Sequence, residues 1–155
     1  MIFAPPAVPM TVRTTPFDIA QRFLGVKELP GDHADSPFIM SMLTLDSEWP
    51  EHDEIPWCSA FCNYVTWLLR LPRSKSLAAR SWARVGTTVA LEDAVPGFDI
   101  VVLSRGANPA HGHVGFYAGQ DRGHIELLGG NQGNRVSLAP FSIERLVAVR
   151  RVYRS

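Results

Sequence analysis

The sequence has little with which to staple itself together. Its 155 residues include only two cysteines, Cys58 and Cys62. They stand four apart in what reads as one helix, where their Cβ vectors diverge, so a disulfide between them is not expected. Two cysteines are also too few for a structural zinc site. An excess of one charge is missing as well: 15 basic residues balance 15 acidic ones and no basic run stands out. Nothing therefore marks a nucleic acid or an anionic membrane as partner. No apolar run nears the ~20 residues that span a bilayer, so membrane insertion is not expected. The opening MIFAPPAVPM lacks a basic start, is broken by prolines and is followed by no small-x-small cleavage site. It is not read as a secretory signal. Synthesis in a cytoplasm is the expectation, with any action outside reached after lysis or by another export route. No internal repeat or low-complexity tract is present.

What is there suits one packed core. Hydrophobic residues make up 46% of the chain and charged ones 19%, which is globular material rather than a disordered chain. Residues 1–14 read as an extended arm, and 15–155 as a single domain. Thr15-Pro16-Phe17-Asp18 has the form of a helix start, with Thr as cap, Pro at the first position and an acid in the first turn. Ser36-Pro37 signals a second short helix, and a polar loop, SEWPEHDEIP, follows it. A third helix opens at Cys58, is apolar over much of its circumference and stops before Pro72. A fourth fits Ser76 to Val85, ended by Gly86. From Phe98 the period changes to that of strands: FDIVVLS, GHVGFYAG, GHIELLGG, NRVSLAP and RLVAVRRVY, parted by Gly, Asn, Asp and Pro. Helices followed by a strand meander predict an α+β fold with an antiparallel sheet of about five strands packed on the helices.

Several residues carry possible chemistry. Cys58, in Pro56-Trp57-Cys58-Ser59-Ala60-Phe61, sits where a helix presents unpaired N–H groups and the positive end of its dipole. Both stabilise a thiolate and can hold an oxyanion. Most free cysteines are merely small buried hydrophobes, and Cys62, one turn further in, is read that way. His113 lies in His111-Gly112-His113-Val114-Gly115-Phe116-Tyr117. The flanking glycines leave its imidazole uncrowded, so it can serve as base to a cysteine or simply be a hydrogen-bonded histidine at a sheet edge. His111 and His113 share a sheet face, but with only His124 or an acid to complete the set, no metal is assigned. Gly129-Gly130-Asn131-Gln132-Gly133-Asn134 is a turn signature. It can also place an amide beside an imidazole, where it would fix the tautomer. Asn131 is the candidate and Glu126 the rival. Trp57 and Trp82 are aromatic enough to wall a substrate groove, although large aromatics more often pack in a core.

The order of these motifs is that of a helix-initial Cys, then a strand His followed by Val-Gly-aromatic, then an amide after the next strand. It resembles the papain-like cell-wall hydrolases, the NlpC-type peptidases and CHAP amidase/peptidase domains. The likeness is closest to a branch common in phages and prophages. It is carried by Gly25-Val26-Lys27-Glu28-Leu29-Pro30-Gly31, Pro56-Trp57-Cys58-Ser59-Ala60-Phe61, Ala79-Arg80-Ser81-Trp82, Gly112-His113-Val114-Gly115-Phe116-Tyr117 and Gly129-Gly130-Asn131-Gln132. It covers about residues 15 to 152.

The resemblance implies a papain-like fold and endolysin-like cleavage of peptidoglycan, at a stem-peptide amide or at the bond joining peptide to sugar, with no cofactor. Cys58 would be nucleophile, His113 base and Asn131 the orienting residue, with His124 and Glu126 still open for that third place. Trp57, Trp82 and Gln132 would contact substrate. The same chemistry would suit an antibacterial effector with an immunity protein as partner. Other readings are a different thiol acyltransferase and a silent binding module for wall peptides. One departure is Pro96-Gly97-Phe98-Asp99, where the pattern has Asp directly after Pro-Gly. The extra Phe98 would bulge the strand start, so Asp99 receives no role.

Overall fold

Helix starts follow from side chains that answer the free N–H groups of a first turn. A computed structural model of the chain describes residues 13–29, 36–46 and 56–153. The expected arm, apart from residues 13 and 14, and nearly all of the polar loop before Cys58 lie outside these. Helix α1 (Pro16–Gln21) opens with a reciprocal capping box. Thr15 Oγ1 accepts the Asp18 N–H at 3.1 Å, and the Asp18 carboxylate accepts the Thr15 N–H at 2.8 Å. Helix α2 (Pro37–Leu43) is capped by Ser36. Helix α3 (Cys58–Leu68) has no side-chain cap, and its first two turns are buried almost all round.

The fourth expected helix, Ser76 to Val85, is shorter and tighter, a 3-10 helix at Ala79–Arg84. The cause lies at Ser76. Its carbonyl already accepts Ser59 Oγ at 2.6 Å and Asn63 Nδ2 at 3.1 Å, so it is not free to begin a helical ladder. These bonds tie the segment to the start of α3.

The strands β1 (Thr87–Thr88), β2 (Asp99–Ser104), β3 (Gly112–Asp121), β4 (His124–Gly129), β5 (Ser137–Ser142) and β6 (Leu146–Arg151) form one antiparallel sheet. Their order is β1-β6-β2-β3-β4-β5. Two-residue β1, too short to carry a period, is the strand beyond the five expected. Alternation divides the sheet residues between two faces. Ile100, Val102, Val114, Phe116 and Leu128 pack with the helices, while Val101, Leu103, Tyr117, Ile125, Leu127 and Val149 form a second cluster.

No bulge occurs at the start of β2. Asp99 pairs in register with Arg151, and the shift falls between Val102 and Leu103. Asp99 is fully buried and holds the Arg151 guanidinium at 2.7 and 2.8 Å while accepting the Val95 N–H at 2.8 Å. Phe98 lies outside the strand, edge-on to Tyr153.

The feature that makes room for a site is where β3 and β4 part. Their pairing ends at Phe116–Leu128, so residues 112–115 of β3 are paired only with β2. Gly130 then lets the chain pass over the start of α3. A Cβ there would stand 2.6 Å from the Trp57 ring and 2.8 Å from Phe61 Cβ.

Candidate active site

Cys58 is the first residue of α3, and the Trp57 before it is anchored by donating Nε1–H to Glu28 Oε1 at 2.8 Å. No side chain caps the helix, and the N–H groups of Val114, Ser59 and Cys58 are near enough to the thiol to favour its thiolate. The Val114 N–H belongs to the part of β3 that β4 has left. The thiol therefore lies against the strand backbone one residue from His113. Burial pushes the Cys58 thiol up, and the three N–H groups and Arg105 oppose this only in part. Cys62 is completely enclosed, which pushes its thiol well above the ordinary range, with Cys58 adding to the effect.

His113 is buried, and its Nε2 lies 2.9 Å from Gln132 Oε1. The Gln132 amide has one possible orientation, because its Nε2 donates to Leu127 O at 3.1 Å and Ser137 O at 2.8 Å. Both amide hydrogens are thus committed and the oxygen faces the imidazole. An amide oxygen only accepts, so His113 Nε2 carries the hydrogen and Nδ1 keeps its lone pair. Gly129 makes the space for this amide: a Cβ there would meet Gln132 Oε1 at 2.4 Å.

Burial draws the His113 pKa below its ordinary value. The Gln132 bond opposes the shift, and Arg145 and Arg105 add to it. Phe141 flanks the imidazole with ring centroids 5.0 Å apart. Both shifts favour the uncharged forms, a thiol at Cys58 and an imidazole at His113.

Two hollows adjoin here. One of about 500 Å³ is lined by Arg105, His113, Asn131, Gln132, Phe141 and Arg145 among others. The other, about 310 Å³, is lined by Cys58 with Pro56, Leu77, Arg105, His111 and Gly112 among its neighbours. Arg105 borders both.

Three sequence expectations need correction. The amide on the imidazole is that of Gln132, not Asn131. Asn131 takes a left-handed turn conformation (φ 57°) and lines the hollow, while the next side chain, one methylene longer, crosses back under β3. Gln132 is not a free substrate-binding group, since its amide is spent on His113 and two carbonyls. Trp57 and Trp82 are 0% exposed and belong to the core rather than a groove wall. Trp82 donates Nε1–H to Ser59 Oγ at 2.9 Å, joining the buried network behind Cys58. His124 and Glu126 are exposed near the opposite end of the β3–β4 pair, away from His113. Arg105, Phe141 and Arg145 were not read from the sequence. They come from a loop, from β5 and from the 3-10 turn that follows it, with no motif, and only the fold gathers them.

No protein-family model matches the sequence, and no curated protein matches it. Among solved structures the chain is similar to NlpC1 from Trichomonas vaginalis, with a TM-score of 0.54 and 18% identity. The likeness covers 90% of this chain and 44% of that one, so this chain spans less than half the length of that protein. At this identity the likeness speaks for the fold, an NlpC-type papain-like α+β architecture with helices packed on an antiparallel sheet.

Proposed function

We propose that this chain is a cysteine-dependent hydrolase that cuts an amide bond in bacterial peptidoglycan. Cys58 is its nucleophile, His113 its base and Gln132 the residue that positions the base. The observation that carries this reading is the doubly anchored Gln132 amide, which sets the His113 tautomer so that Nδ1 can take a proton.

The steps follow from that geometry. Nδ1 removes the Cys58 thiol proton as the sulfur attacks the amide carbonyl. The oxyanion is held by the N–H groups of Cys58 and Ser59 at the start of α3. The C–N bond breaks, the amine leaves with the proton from the imidazolium, and a thioester remains on Cys58. Water, deprotonated by Nδ1, then hydrolyses that thioester and frees the thiol. Deprotonation within the encounter suits a pair that rests neutral, since no standing thiolate is required.

Peptidoglycan is the macromolecular partner in this reading, met after lysis or export. The phage-like motif set supports an endolysin. An effector held by an immunity protein would use identical chemistry, and a neighbouring holin gene or small inhibitor gene separates the two. Digestion of purified peptidoglycan followed by mass spectrometry of the soluble fragments tests the proposal. New fragments are expected, with termini that name the bond. Intact wall material across several wall chemistries would contradict it.

A further inference from the structure

The chain as a whole is neutral, yet the surroundings of His113 are not. Arg105 and Arg145 line the hollow at the imidazole, and among the described residues neither adjoining hollow is lined by an Asp or a Glu. Arg145 is held in place. Its Nε donates to Ser104 O at 2.9 Å, its guanidinium carbon lies 5.2 Å from the centre of the Phe141 ring, and that ring flanks His113. Its terminal nitrogens are left as donors. Arg105 is exposed, makes no hydrogen bond or ion pair among the described residues, and borders the Cys58 hollow too.

Two cations beside a general base work against it, since each disfavours the imidazolium that the reaction must form. An anion bound between them would remove that handicap at the moment substrate arrives. Planar guanidinium groups match a carboxylate better than any other anion a peptide commonly carries.

We propose that Arg105 and Arg145 form a carboxylate subsite, so that the substrate is a peptide bearing a free carboxylate close to the bond that is cut. The subsite rests on the hydrolase reading above and narrows it. Arg145 is the fixed half and Arg105, on the β2–β3 loop, the adaptable half. Peptides whose carboxylate is amidated would be poor substrates, so amidation of the wall would protect against this chain.

The test uses a soluble wall tripeptide and a set of derivatives in which each carboxylate in turn is a carboxamide. With wild type, amidating one carboxylate should lower kcat/KM by about ten- to a hundredfold, as loss of a charge-assisted contact does. Arg145→Gln should cut the parent peptide as slowly as wild type cuts that derivative, and should no longer distinguish the two. Arg145→Lys should recover part of the difference. If Arg145→Gln melts early, Arg105→Gln, which loses no structural bond, carries the same comparison.

Equal rates for the parent and every derivative would overturn the subsite, as would a variant that slows all of them alike. Both results would leave the hydrolase reading standing. If wild type cuts none of the set, calorimetric binding to the Cys58→Ala protein decides. Parent bound at least about tenfold tighter than one derivative would keep the subsite while the hydrolase reading fell. Equal binding, or none, would overturn the subsite.

Discussion

The β3–β4 pair ends in two different ways. At the turn, Asp121 and His124 face each other with Glu126 nearby, all exposed, joined through Arg122 and Gly123. At the other end the strands part after Phe116–Leu128, and His113 and Gln132 are buried in the gap. Both ends offer a histidine and a polar partner for it. At the turn, His124 Nδ1 meets the exposed Arg122 carbonyl at 3.3 Å, whereas at the buried end the His113 partner has both its amide hydrogens committed elsewhere and its oxygen held on the imidazole at 2.9 Å. An exposed contact of that kind competes with solvent and holds its imidazole less firmly than a buried one. Helix α3 repeats the contrast on a smaller scale. Cys58 at its start has three N–H groups near enough to favour its thiolate, whereas nothing offsets the complete enclosure of Cys62 one turn on.

The largest expected effect lies in the histidines. His113→Ala should lower kcat/KM on wall fragments by roughly a thousandfold or more, as removal of a general base does, whereas His124→Ala should stay within about twofold. Equal losses would erase the distinction between the two ends.

Gln132→Ala comes next. It removes the tautomer lock and strands the Leu127 and Ser137 carbonyls, so kcat should fall by about ten- to a hundredfold and stability by about 1–3 kcal/mol. Imidazole nitrogen NMR would show mixed tautomers in that variant and one in wild type. Asn131→Ala, on the neighbouring residue, should leave the tautomer unchanged.

Gly129→Ala should produce a milder form of the Gln132 defect. Its Cβ would fall 2.4 Å from the amide oxygen, which must shift. Gly130→Ala, directed at the Trp57 ring and Phe61 Cβ, should lower the melting temperature instead, by an overpacking cost of about 1–3 kcal/mol.

The smallest effect is on pH. With the His113 pKa held below its ordinary 6.5, the acid limb of kcat/KM should lie below that pH. The unfolded chain binds the proton first as pH falls. Stability is therefore full above about 6.5 and declines as pH drops toward the folded value. Replacing Arg105 with Gln should move the acid limb upward, because one cation that disfavours the imidazolium is gone.

Legibility in the sequence followed the range of the interactions. Thr15-Pro16-Asp18, Ser36-Pro37 and the alternating strands are short-range signals, and the elements they specify lie where the chain places them. Ser76 carried an equally good helix start, but its carbonyl is claimed by Ser59 and Asn63, a tertiary fact that no local window contains. Cys58 and His113 stood out because helix ends and strand glycines are chemical signals in themselves. The choice between Asn131 and Gln132 was not legible, since it depends on which of two adjacent amides a left-handed turn sends under β3. Gly129 held the missing clue, because it leaves room for one amide oxygen, and that oxygen belongs to Gln132. Trp57 and Trp82 were placed in a groove by their size, but their N–H groups are satisfied inside the core by Glu28 and Ser59.

Cys58 and Cys62 provide the most direct test of the central claim. Hydrolysis of purified peptidoglycan would be followed for wild type, Cys58→Ala and Cys62→Ala at equal folded concentration. The account predicts no fragments above background from Cys58→Ala, and fragments identical to wild type, at a rate within about threefold, from Cys62→Ala, since a buried thiol contributes packing alone. Wild-type fragments released by Cys58→Ala would contradict it.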